Sequence, residues 1–218
     1  MDVREEIQDT VMRDGLIVIV RGVPSESLLP LAEALYHAGV HLMEVTYAAD
    51  RSVPWERTAQ DIRRLQEATA GRMYIGAGTV LTTEQVEMTA QAGGRFIISP
   101  DTRPEVIART RALGLVSIPG ALTPTEAQTA HLAGADFVKL FPVTDLGPGY
   151  LKNLCAPLSH IRFLAVGGVS PEDIPAYRKA GAVGFGVGGS IVNKDRIAAG
   201  DWEGIAALAR AFTSRLQG

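Results

Sequence analysis

The chain has 218 residues, long enough to bury a full core in one domain, since barrels of this size commonly stay undivided. Its 21 basic and 24 acidic residues leave a net charge of −3, with no basic block interleaved with aromatics, which argues against nucleic acid as a partner. No apolar stretch approaches the ~18 residues of a membrane span, and Asp2, Glu5 and Glu6 near the N-terminus speak against a signal peptide.

One cysteine, Cys155, rules out an intrachain disulfide and fits a reducing, cytoplasmic setting. It reads as a packed residue, because no histidine lies close in sequence to act as its base. The 23 glycines sit mostly at the ends of apolar runs, as strand-end turns do.

Residues 3–14 place Val3, Ile7 and Val11 at helical spacing before Gly15, which predicts a short helix across the base of the fold. Leu16 to Val20 is a fully apolar strand, followed by an amphipathic helix over 25–38. A strand from His41 to Thr46 and a helix from about Arg57 to Thr69 come next. Met73 to Gly76 is the third strand, and Thr82-Thr83-Glu84-Gln85 opens the next helix with a capping box.

Phe96 to Pro100 is a strand with a helix from Pro104 to Leu113 behind it. Leu115 to Ile118 is another, and Thr123-Pro124-Thr125-Glu126 supplies an N-cap with Pro at N1 and Glu at N3. Phe137 to Pro142 is the sixth strand, Arg162 to Val166 the seventh, with Ser170-Pro171-Glu172-Asp173 opening the helix after it. Val183 to Val187 is the eighth, and a last helix runs from about Trp202 to Leu216. Eight strands alternating with helices across short turns predict an α/β fold, a (β/α)8 TIM barrel with an N-terminal capping helix, as one domain over 1–218. An open doubly wound sheet would want a dinucleotide fingerprint after the first strand, and Val20-Arg21-Gly22-Val23 is not one.

In such a barrel, functional groups project from the C-terminal strand ends. Those ends offer Arg21, Glu44, Thr79, Ser99-Pro100, Pro119-Gly120, Lys139, Gly167-Gly168 and Gly188-Gly189-Ser190. Lys139 stands in an otherwise apolar strand, where desolvation would lower its pKa and leave more nucleophilic free amine. The alternative is a barrel lysine satisfied by a carboxylate. Glu44 is the only acid of its strand, and Met43 and Val45 beside it would face the outer helices. Inward burial would raise its pKa and suit it to shuttle protons, against the alternative of an ion pair with Lys139.

The glycine pairs of strands seven and eight suit an anion held by backbone N–H groups and a helix N-terminus, or else simply form tight turns. Arg21 is a two-pronged donor for a carboxylate, or else a surface arginine. His37, His41, His131 and His160 fall on helices or strand starts without metal-ligand spacing and read as structural. No metal or other cofactor is expected. A metal-dependent enzyme would need two or three carboxylate or histidine ligands at neighbouring strand ends, and only Glu44 qualifies. A non-catalytic phosphosugar sensor would explain the glycines but not Lys139 facing Glu44.

Seven segments in order carry a resemblance: Met43 to Thr46, Gly76 to Val80, Ile98 to Pro100, Ile118 to Gly120, Val138 to Pro142, Val166 to Val169, and Gly189-Ser190. Together they resemble the 2-keto-3-deoxy-6-phosphogluconate (KDPG) / 4-hydroxy-2-oxoglutarate aldolases, class I enzymes on a βα barrel that are typically trimeric and metal-free. The resemblance implies that Lys139 forms the imine with pyruvate and that Glu44 is the general acid/base. Thr79 would hold the pyruvate carboxylate, and Pro100 and Phe141 would wall the pocket. Gly167, Gly168, Gly189 and Ser190 would bind the distal phosphate.

The implied partners are therefore pyruvate and a phosphorylated aldehyde, with a homotrimer as assembly. Many members carry an arginine where Ala48 stands. The phosphogalactonate branch instead resembles this chain in Val20-Arg21-Gly22 and in the run from Gly147 to Lys152. Asp50 to Arg57 matches neither branch and is expected to line the specificity side of the mouth.

Overall fold

The computed structural model describes residues 2–217. Nine parallel strand segments run in the spatial order β5-β4-β3-β2-β1-β9-β8-β7-β6. They are β1 Leu16–Val20, β2 Leu42–Thr46, β3 Tyr74–Gly78, β4 Phe96–Ile98, β5 Val116–Ile118, β6 Gly120–Ala121, β7 Val138–Leu140, β8 Phe163–Val166 and β9 Ala182–Val187. Helices lie between them, and α1 Val3–Asp14 precedes them all.

The two segments at the ends of that order, β5 and β6, are halves of one strand broken at Pro119. Val116–Ile118 pairs with β4, and Gly120–Ala121 pairs with β7. Proline has no N–H for a ladder, so the strand changes partners there. Its carbonyl still accepts from Lys139 N–H at 2.9 Å. This switch closes the sheet into a barrel, and it is why the fifth of the eight expected strands appears in two pieces.

Strands buried on both faces read as unbroken apolar runs, and here the alternation sorts them. Leu16, Val18 and Val20 of β1 pack outward in the shell against the helices, while Ile17 packs into the barrel with Leu42, Phe96, Val116, Phe137 and Leu164. Gly76 on β3 leaves the room that the Phe96 ring fills. Each such buried side chain contributes roughly 1.5–3 kcal/mol. Ile7 and Val11 of α1 join this inner cluster and close the barrel base, where the helix was expected. Its stop at Gly15, with φ 67°, follows the sequence signal, and Asp2 and Glu5 add a capping box at its start.

Two helix boundaries differ from expectation. The helix after Trp55 starts there rather than at Arg57. The one after β8 spans Ile174–Ala180, beyond the Ser170–Asp173 segment. Ser170 spends its N–H and hydroxyl on the Asp173 carboxylate at 2.9 and 2.7 Å, making a separate turn instead of a cap. Among the described residues no helix is long and apolar enough to cross a membrane.

Candidate active site

The strand alternation decides which way the lysine points. Val138 and Leu140 belong to the outer shell, so Lys139 between them faces inward, one step closer to the mouth than Phe137. Met43 and Val45 likewise face the helices and turn Glu44 inward above Leu42. A cavity of about 740 Å³ opens at these strand ends. It is lined by Arg21, Glu44, Thr79, Pro100, Lys139, Phe141, Gly167, Gly168, Gly189 and Ser190, while Ser99, Pro119 and Gly120 of the strand ends lie outside the lining.

Lys139 is 8% exposed, and its Nζ lies 4.5 Å from the centroid of the Phe141 ring. Burial lowers its pKa from the ordinary lysine value, Glu44 pulls the other way, and Arg21 adds to the lowering. Glu44 is 2% exposed. Burial raises its carboxyl to about 6, against the opposing pull of Lys139, a hydrogen bond from Thr46, and Arg21. Thr46 Oγ1 donates to Glu44 Oε1 at 3.3 Å, and Oε2 is buried without a partner. Neither oxygen is bonded to the lysine, so the two groups act on each other by charge across the cavity.

The space for that carboxylate comes from Gly78, since any Cβ there would overlap it. Thr46 was visible in its motif, but its bond to Glu44 was not, because a two-residue separation along a strand does not by itself bring side chains together. Ile19, Val166 and Val187 add apolar lining to the cavity.

Arg21 Nη2 donates to Thr79 Oγ1 at 3.1 Å, which joins the ends of β1 and β3. Thr79 holds a left-handed φ of 54°, a conformation that costs a non-glycine residue about 1–3 kcal/mol and gathers at functional sites. On the opposite wall Gly167 and Gly168 have φ of 103° and 74°. Among the described residues, the N–H groups of Gly167, Gly168, Gly189 and Ser190 donate to no protein acceptor. The helices nearest them begin only at Ile174 and Lys194. Any anion held there meets glycine turns, contrary to the helix N-terminus expected from the sequence.

Asp50, Ser52, Val53, Pro54 and Arg57 line a second cavity of about 770 Å³, which shares Arg21 with the first. No residue of 50–57 lines the mouth cavity itself, so among the described residues this segment borders the mouth only through the shared Arg21. His41 pairs with Asp14 at 2.7 Å at the base, and His131 stacks edge-on with His160 at 4.7 Å. Cys155 is half-buried, with its thiol pushed up by burial. Among the described residues no group of three or more His, Cys, Asp or Glu side chains is placed to hold a metal ion.

The family model for KDPG and KHG aldolase matches residues 7–208. The 2-dehydro-3-deoxy-6-phosphogalactonate aldolase of Escherichia coli K12 is 36% identical over 93% of this chain and 96% of its own. The 2-dehydro-3-deoxy-phosphogluconate aldolase of Treponema pallidum is 34% identical over 94% of each. Among solved structures, native KDPGal aligns with a TM-score of 0.83 at 37% identity, over 92% of this chain and 93% of that one. The KDPG aldolase of Legionella pneumophila, with pyruvate captured as a covalent carbinolamine, aligns at 0.84 and 27%, over 94% and 97%. With a match that spans the barrel from the base helix to the last helix, the chain belongs to the KDPG and KHG aldolase family.

Proposed function

We propose that this chain is a class I aldolase that cleaves a 2-keto-3-deoxy-6-phospho sugar acid to pyruvate and a phosphorylated aldehyde. The observation that carries the reading is Lys139: a buried amine with lowered pKa, paired with no carboxylate among the described residues, opening into the same cavity as a glutamate raised to about 6. The neutral amine attacks the keto carbon, and the carbinolamine loses water as protonated Glu44 gives up its proton. In the resulting iminium the lysine nitrogen carries the charge. The Phe141 ring beside it favours that cation while excluding water.

Glu44, now a carboxylate, takes the C4 hydroxyl proton through a water. The C3–C4 bond breaks, its electron pair passes into the enamine, and the aldehyde leaves. Glu44 returns the proton to C3, and water hydrolyses the iminium to free pyruvate and Lys139. A pKa of about 6 lets one carboxyl serve both directions near neutral pH. Thr79 and Arg21, already hydrogen-bonded together, hold the pyruvate carboxylate. Pro100 and Phe141 wall the reacting carbons. The free N–H groups of Gly167, Gly168, Gly189 and Ser190 receive the distal phosphate.

Reduction with borohydride in the presence of pyruvate tests this by leaving a stable adduct on Lys139, and its absence there would end the proposal. The Arg21 match favours the galactonate-derived substrate, and a higher kcat/KM on the gluconate-derived phosphate would reverse that preference. The family resemblance supports a homotrimer, and a solution mass of one or two chains would refute it. One domain over 1–218, in keeping with a single closed barrel, should unfold in one cooperative transition. The lone thiol supports a cytosolic setting.

A further inference from the structure

The glycine turn after β8 is held from behind by the loop that follows the lysine strand. Val143 N–H donates to Val166 C=O at 3.0 Å, and Thr144 Oγ1 donates to Gly167 C=O at 2.6 Å. Tyr177, buried on the helix after β8, fixes that loop in turn by donating its hydroxyl to Val143 C=O at 3.0 Å. Thr144 is exposed and lies outside the cavity lining, yet it fills the space a Cβ on Gly168 would need.

A trans peptide points its C=O and N–H in opposite directions. With the Gly167 carbonyl turned onto Thr144, the N–H of Gly168 is turned away from Thr144, and it has no protein acceptor among the described residues. Both glycines sit at positive φ, where the missing side chains leave this peptide free to turn over. A turned peptide would present a carbonyl oxygen, repelling an anion in place of binding it. One hydroxyl decides between the two.

We propose that Thr144 is a positioning residue for the distal anion: its hydroxyl holds the Gly167–Gly168 peptide with the N–H available to a phosphate group. The inference rests on the reading of these glycine turns as the phosphate subsite. Thr144 touches no reacting atom and acts only through this peptide.

The test compares wild type, Thr144→Val and Thr144→Ser on a phosphorylated 2-keto-3-deoxy hexonate and on the same hexonate without phosphate. Thr144→Val removes the donor at nearly constant shape. It should raise KM for the phosphorylated substrate about 5- to 10-fold, the loss expected for one hydrogen bond. Inhibition by inorganic phosphate should weaken by the same factor. The kcat, and kcat/KM on the unphosphorylated hexonate, should stay within about two-fold of wild type, and Thr144→Ser should restore KM.

Equal losses on both substrates would show a merely structural role and overturn the inference, as would an unchanged KM or a serine variant as impaired as valine. Wild type that treats both hexonates alike and ignores inorganic phosphate would instead remove the phosphate subsite itself, and the inference with it. A wild-type phosphate preference that Thr144→Val leaves intact overturns the role of Thr144 alone.

Discussion

The barrel buries a carboxylate near each end, and their surroundings are opposite. At the base, Asp136 accepts from Ser117 N–H at 2.9 Å, Arg111 at 3.0 Å, Gln8 at 3.2 Å, and Arg4. Two of these partners, Arg4 and Gln8, come from α1, so the aspartate pins the base helix to the barrel. At the mouth, Glu44 accepts one hydrogen bond, from Thr46, and leaves an oxygen buried without a partner. A buried polar group that is saturated with donors serves stability; one left short of donors costs stability and keeps its charge available for chemistry. The same contrast separates the apolar, filled lower barrel from the mouth, where Thr79 holds a left-handed backbone and four N–H groups lack acceptors among the described residues.

The largest effect that sharpens this contrast is on catalysis. Lys139→Ala should lower kcat/KM by about 10⁴-fold or more, because no other group supplies the imine. Retention of ordinary turnover would remove the lysine from the mechanism. Glu44→Gln should cost about 10²–10⁴-fold in kcat and abolish a limb near pH 6 in the pH profile of kcat/KM.

Burial raises the pKa of both carboxyls, but only Asp136 has four donors that would be left unpaired, so the two should part company when their charge is removed. Glu44 has its folded pKa raised from an ordinary 4.5 to about 6. The folded chain therefore binds the proton more tightly than the unfolded one. The benefit is complete below about pH 4.5 and is lost as pH rises through about 6, leaving the ionised form destabilising by about 2 kcal/mol. Glu44→Gln should accordingly stabilise the fold above pH 6 by up to that amount in urea titrations, while Asp136→Asn should destabilise it by about 2–3 kcal/mol. Loss of stability in Glu44→Gln at pH 7.5 would break the comparison. Gly78→Ala sits between the two cases: its Cβ meets the Glu44 carboxylate, so kcat should fall more than about ten-fold with a smaller loss of stability, read from paired activity and melting curves.

Much of this was legible in the sequence, for identifiable reasons. Apolar runs ending in glycine or proline mark buried strands, and in a closed barrel their ends converge, so Lys139, Glu44 and Arg21 could be brought together on paper. The one-residue alternation around Met43-Glu44-Val45 also gave the inward direction of Glu44. The break at Pro119 was not legible, because which neighbour each half of that strand pairs with is decided across the barrel. Thr144 gave no signal either, since its partner is a backbone carbonyl 23 residues away. The Ser170–Asp173 turn imitates a helix start in composition and differs only in where the serine spends its hydrogen bonds.

Catalysis turns on the amine of Lys139, and peptide mapping after reduction interrogates it most directly. Incubation with pyruvate and borohydride should add one reduced pyruvate unit to the peptide holding Lys139, and none to the Lys139→Ala variant. An unmodified Lys139 peptide, or an adduct on Lys152 or another lysine instead, would contradict it.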